Sequence, residues 1–188
     1  MADDDVRLML AFRDGDERAF DALFERWAGR VLRFVERIVR EPGVAEDLVQ
    51  ETFLRVWRAR ERYVPEARFS TWLFTIAGNA ARNELRRPFR GAAHDSLDLA
   101  AEDAKPEPAA DGPASDELVD ARRTGLGLEA ALAQLPARQR EALWLRAVEG
   151  LSYAEVALAL ETSEASVKAL IHRARVALAR AAGERGKA

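Results

Sequence analysis

The stretch that decides the fold is "LSYAEVALALETSEASVKALIHRARVALARAA", Leu151 to Ala182. It opens with a capping box, Ser152 followed three residues later by Glu155, so a helix starts at once. About nine residues on, "ETS" breaks the pattern, and Ser163 offers a second N-cap. A longer basic helix follows. A short helix, a turn of about three residues and a second helix make the helix-turn-helix plan. In the second helix Val167, Leu170, Ile171, Ala174 and Leu178 share one face, which is the core face. Ala165, Ser166, Ala169, His172 and Arg173 point the other way, with Lys168, Arg175 and Arg180 at the sides. Small residues at the outward N-terminal end admit base edges, and hydroxyl and basic groups supply hydrogen bonds and phosphate contacts. The competing reading is a solvated basic helix on a structural bundle. His172 by itself reads as a surface side chain.

Upstream of this unit the chain stays helical. "LPARQREALWLRAVEG" places Pro136 in a first turn and Gly150 at a helix end, and a preceding helix is expected from about Glu117 to Ala133. Near the N-terminus a short helix spans Val6 to Arg13. A long one runs from about Glu17 to Arg40, with Phe20, Leu23, Phe24, Trp27, Val31, Phe34, Val35 and Ile38 at helical spacing. "EPG" stops it, a third helix continues to about Arg60, and a fourth, capped by Ser70, runs to about Arg87 before Pro88. No period-2 run bounded by turn residues suggests a strand.

Between the two helical parts lies "GAAHDSLDLAAEDAKPEPAADGPASDE", Gly91 to Glu117, rich in Ala, Asp, Glu and Pro and lacking aromatics. Such a segment buries too little apolar surface to offset its ordering entropy. The expectation is therefore an all-α protein of two small helical domains, residues 1–90 and 118–188, joined by a flexible acidic linker, 91–117, with the helix-turn-helix in the second.

Charge follows the same division. The net charge of −3 conceals 17 basic against 16 acidic residues in 1–90, one lysine against nine acids in 91–120, and 11 basic against seven acidic in 121–188. The C-terminal part is the basic one, as a polyanion-binding surface requires. The chain has no cysteine and two distant histidines, which argues against disulfides, thiolate catalysis and a metal site, and no cofactor is expected. No nucleophile lies near a base and no glycine-rich phosphate loop is present, so an enzyme is not expected. The acidic start "MADDDVRLML" lacks a signal-peptide pattern, and no apolar run approaches membrane-span length, so the expected location is the cytoplasm without membrane insertion.

Two further segments carry candidate surfaces. In "AEDLVQETFLRVWR", Ala45 to Arg58, the residues Val49, Phe53, Val56 and Trp57 form a complete core face. Asp47, Glu51, Arg55 and Arg58 lie opposite, yet Leu54 points among them and Leu48 sits at their border. Scattered surface leucines are ordinary, so these two need a reason. In "RFSTWLFTIAGNAARNELRRPFR", Phe69, Trp72 and Phe74 precede Arg82, Arg86, Arg87 and Arg90, while Asn79, Arg82 and Arg86 share one helix face. Rings beside arginines suit single-stranded nucleic acid, each stacked base being worth about 1–3 kcal/mol. Packing into the core is the alternative, above all for Phe74 and Trp72.

Taken in order, "DERAFDALFERWAGRVLRFVERIV", "AEDLVQETFLRVWRARERY", "RFSTWLFTIAGNAARNELRR", "LPARQREALWLRAVEGLSYAEVALAL" and "SEASVKALIHRAR" resemble the segments of a bacterial extracytoplasmic-function sigma factor. The resemblance covers both helical parts. It implies a non-enzymatic transcription initiation factor whose partners are core RNA polymerase, promoter DNA and an anti-sigma factor. It further implies polymerase docking through Asp47, Leu48, Gln50, Glu51, Leu54, Arg55 and Arg58, an apolar contact with a charged rim. The downstream (−10) box would be held as a single strand by Arg68, Phe69, Trp72, Asn79, Arg82 and Arg86. The upstream (−35) box would be read by Ser163, Glu164, Ser166, Lys168, Ala169, His172 and Arg173. Three positions depart from the family pattern: Gly78 replaces a frequent basic residue, Glu161 a turn glycine, and Leu170 a frequent arginine. The competing function is a stand-alone helix-turn-helix regulator with a helical sensory or dimerisation domain, which leaves the third helix and the aromatic–arginine block unexplained.

Overall fold

The computed structural model describes the backbone of residues 2–87 and 125–185 and the side chains of 4–87 and 129–182. The expected linker, and the first turns of the helix expected from Glu117, lie outside the described residues. Among the described residues every regular element is helical. The N-terminal group comprises α1 (Ala2–Arg13), α2 (Glu17–Val39), α3 (Pro42–Ala59), a 3-10 turn (Arg60–Arg62) and α4 (Phe69–Leu85). The C-terminal group comprises α5 (Gly125–Gln134), α6 (Ala137–Ala147), α7 (Tyr153–Ala159) and α8 (Glu164–Arg185).

Local chemistry sets the boundaries. Asp16 caps α2 by accepting from the Arg18 N–H, and α2 ends where Arg40 turns left-handed at φ 61°. Pro42 then takes the first position of α3, because its missing N–H has no partner there anyway. The sequence "EPG" therefore starts one helix as well as ending another. Ser70 is not a cap. Arg68 holds the cap position of α4 without a side-chain bond, and Ser70 falls in the first turn. Pro136 likewise precedes α6 rather than entering it. The Ser152–Glu155 capping box opens α7 as expected, Gly150 takes φ +71°, and the Ser163 hydroxyl accepts from the Ser166 N–H at the start of α8.

The N-terminal core is strongly aromatic. Phe12 and Phe20 meet Trp57, and Trp27 meets Phe69 and Phe74 edge-on at 5.9 and 6.0 Å. In the C-terminal group Leu143, Leu145, Leu151, Val156, Val167, Ile171 and Ala174 are buried, so α8 uses the face its periodicity indicates. The two groups also pack on each other, α2 against α6 and α4 against α7, and their buried residues form one continuous apolar cluster.

Candidate nucleic-acid and docking interfaces

The charged face of α3 is open. Leu54 is 55% exposed, and Asp47, Gln50, Glu51 and Arg58 around it are exposed too. Arg55 is half-buried and pairs with Glu51 one turn earlier. Leu48 departs from expectation: it is 3% exposed and belongs to the core. Because α3 packs against both α2 and α4, it buries a wider arc than a single neighbour would take, and that arc reaches Leu48. Thr52 lies in the same arc and returns its hydroxyl to the Leu48 carbonyl at 2.7 Å. Phe24 moves the opposite way. Its spacing puts it in the α2 core stripe, but it sits exposed at the edge, against Phe53 at 4.8 Å.

On α4 the expected strand-binding set divides. Phe69 is 1% exposed, wedged between Trp27 and Trp72. As the first residue of α4 it faces α2, so it is a core anchor and not a free stacking ring. Trp72 is half-buried against Tyr63 at 4.8 Å. Arg86 is exposed at the helix end. Arg68, Asn79 and Arg82 are brought to one side, and that side meets the C-terminal group. Arg68 Nε lies 3.2 Å from Glu155 Oε1. Asn79 Nδ2 donates to Glu161 Oε1 at 2.7 Å. Arg82 Nη1 donates to Glu141 Oε2 at 2.6 Å, and Nη2 donates to Asn79 Oδ1. The Arg82 side chain is 6% exposed and that of Glu141 0%.

Gly78 explains how Arg82 fits. A Cβ at Gly78 would stand 3.0 Å from Arg82 Nη1, so the guanidinium would have to give by a few tenths of an ångström. Glu161, the other departure on this side, takes φ +52°, a strained conformation for a side chain of its kind. Its carboxylate faces Asn79. Periodicity could not have found Glu141 as a partner of Arg82, but one signal was there: an acid on α6 beside the core residues Ala142 and Leu145 needs a cation from elsewhere.

The outward face of α8 is ordered as expected. Glu164, Lys168, His172 and Arg173 are exposed, Ser166 and Ala169 half-buried. Ser163 is held by its bonds to Ser166. Leu170 is buried and packs the core. Electrostatics at the contact between groups favour charged glutamates. Burial raises the Glu155 pKa, but bonds from the Ser152 N–H and hydroxyl and the Arg68 charge outweigh it, leaving the value lowered. A hydrogen bond from Arg37 lowers Glu129, with burial opposing.

Among the described residues no cluster of three or more His, Cys, Asp or Glu side chains is placed to hold a metal ion, and no helix is long and apolar enough to cross a membrane. A helix-turn-helix with a small, polar outward face, beside a helical group bearing arginines and an open apolar–charged patch, is the architecture of a DNA-binding protein. Two family models match: "Sigma-70 region 2" over residues 23–90 and "Sigma-70, region 4" over residues 126–178. RNA polymerase sigma factor CarQ of Myxococcus xanthus is 42% identical, covering 88% of this chain and 90% of that relative. The RNA polymerase sigma-H factor of Pseudomonas aeruginosa is 32% identical over 94% and 93%. Among solved structures, the sigma factor RpoE in complex with the anti-sigma factor NepR from Bartonella quintana aligns with a TM-score of 0.63 and 26% identity, over 87% of this chain and 96% of that one. CnrH in complex with the cytosolic domain of CnrY shares the fold, with a TM-score of 0.65 at 24% identity over 94% and 96%.

The chain belongs to the sigma-70 family of RNA polymerase sigma factors, in its extracytoplasmic-function group. It is a transcription initiation factor that directs RNA polymerase to promoters, in a family of non-enzymatic factors. The stand-alone regulator is not favoured, since the region 2 match covers the helices that reading leaves unexplained.

Proposed function

We propose a division of labour among three faces. The charged face of α3 docks on core polymerase through Leu54, with Asp47, Gln50, Glu51, Arg55 and Arg58 as its rim. The observation that carries this assignment is Leu54 itself, a large apolar side chain left open on a helix whose remaining apolar face is buried. Buried apolar centres ringed by charge are the usual anatomy of such contacts. The α4 face, Arg68, Asn79, Arg82 and Arg86 with the edge of Trp72, holds the melted −10 strand. The outward face of α8, Ser163, Glu164, Ser166, Lys168, Ala169, His172 and Arg173, reads the −35 box. The groups act as domains, residues 1–90 and 118–188, with 91–117 as the linker between them. The protein works in the cytoplasm and catalyses no reaction of its own. An anti-sigma partner is supported by the solved relative RpoE, which is bound to the anti-sigma factor NepR.

Energetics make polymerase necessary. Opening DNA costs about 1.4 kcal/mol per base-pair step. With Phe69 in the core, few rings remain to stack bases at about 1–3 kcal/mol each. The test is run-off transcription with core polymerase on a randomised promoter library. The expected result is a set of transcripts sharing one −10 and one −35 motif at fixed spacing, absent without the protein. Transcripts with no shared upstream motif would remove the α8 assignment.

A further inference from the structure

Among the described residues, five polar side-chain contacts between the two helical groups share one polarity. Arg30 meets Glu149, Arg37 meets Glu129, Arg68 meets Glu155, Arg82 meets Glu141, and Asn79 meets Glu161. In each the donor belongs to the N-terminal group and the glutamate to the C-terminal one. Arg37 also lies over the Trp144 ring at 5.5 Å, and Glu149 accepts from Trp144 Nε1 at 3.2 Å. Three of the five donors, Arg68, Asn79 and Arg82, belong to the face assigned above to the promoter strand.

We propose that the free chain is latched shut by its own carboxylates, Glu141 and Glu161 holding Arg82 and Asn79 where nucleic acid would otherwise bind, so that α6 and α7 must swing away before the strand is read. This rests on the α4 reading above. Two features mark the contact. Gly78 leaves the Arg82 guanidinium close room, since a Cβ there would stand 3.0 Å from Nη1 and the guanidinium would have to give by a few tenths of an ångström. Glu161 keeps a left-handed backbone while directing its carboxylate at Asn79. The latch is also releasable. A buried pair gains little net energy over its desolvation, yet losing one partner strands the other charge. Glu141→Gln therefore penalises the closed form, whereas in the open form Arg82 is simply hydrated. The more exposed pairs weaken with salt. A ligand that needs the open form binds with its intrinsic affinity reduced by the open fraction.

The chain has no cysteine, so paired spin labels at Glu46→Cys on α3 and Ala177→Cys on α8, both exposed positions, report the separation of the groups. The free chain should give one narrow distance distribution. Glu141→Gln with Glu161→Gly should broaden and lengthen it. The same variant should bind a single-stranded promoter oligonucleotide about tenfold more tightly than the parent, as an open fraction rising tenfold requires. Helicity and cooperative unfolding are checked alongside. Should Glu141→Gln impair folding, Glu129→Gln with Glu161→Gly changes only exposed carboxylates and must move the distribution the same way. A broad distribution in the unaltered chain, or one that no glutamate variant changes, overturns the latch. A broadened distribution with no gain in strand binding leaves the latch standing and overturns the α4 assignment instead.

Discussion

The polar faces of α3 and α4 are made of similar material, arginines and amides or acids set around an apolar residue, yet one is open and the other covered. On α3 the face that its own bundle leaves over stays in solvent, with Leu54 at its centre. On α4 the leftover face is met by glutamates from α6, from α7 and from the turn after it, and Arg82 ends up more buried than many apolar side chains. Helical periodicity states which side chains leave the local core. It does not state whether another part of the chain arrives to cover them. On the proposed assignments the difference orders the events: polymerase docking can begin on the closed chain, whereas strand capture must wait for opening.

The largest expected effects come from side chains that the two helices commit to the core. Phe69→Ala should cost about 3–5 kcal/mol and Leu48→Ala about 2–5 kcal/mol of stability, read as lowered midpoints in denaturant unfolding. Leu54→Glu is the counterpart on the open face. It should leave the unfolding midpoint within about 0.5 kcal/mol of the parent and weaken binding to core polymerase more than about tenfold, as loss of a central apolar contact does. An unfolded Leu54→Glu protein would place Leu54 in the core and erase the contrast between α3 and α4.

The smallest effect is on pH. Glu129 and Glu155 both carry lowered pKa values in the folded chain. A carboxylate held below its free value contributes fully above the ordinary glutamate range and loses that contribution as pH falls through the lowered value. The label distance between Glu46→Cys and Ala177→Cys should therefore stay constant across neutral pH and broaden only once pH drops below the ordinary glutamate range. Broadening on the alkaline side would show that these carboxylates do not hold the groups together.

Much of the fold was legible because it is written locally. The Ser152–Glu155 box, Gly150, and the Val167, Leu170, Ile171, Ala174 stripe fix α7, the turn and α8 from contacts within a few residues. Errors arose where a second helix decided the outcome. Leu48 is buried because α3 has neighbours on two sides, and Phe69 because Trp27 on α2 reaches the start of α4. Ser70 and Pro136 stand a place or two from their expected positions because cap chemistry allows more than one frame. The pairing of Arg82 with Glu141 joins residues 59 apart in sequence, a separation that no local pattern encodes. Gly78 and Glu161 were visible as departures from a family pattern, but their common place at one contact emerged only from the coordinates.

Titration of a fluorescent single-stranded −10 oligonucleotide with the unaltered chain, alone and then with core polymerase, tests the order of events most directly. The account predicts weak, salt-sensitive binding by the chain alone and tight, sequence-selective binding once polymerase is present, with Arg82→Ala abolishing only the second. Equally tight and selective binding by the free chain would contradict it, because the face covered by Glu141 and Glu161 would then already be available.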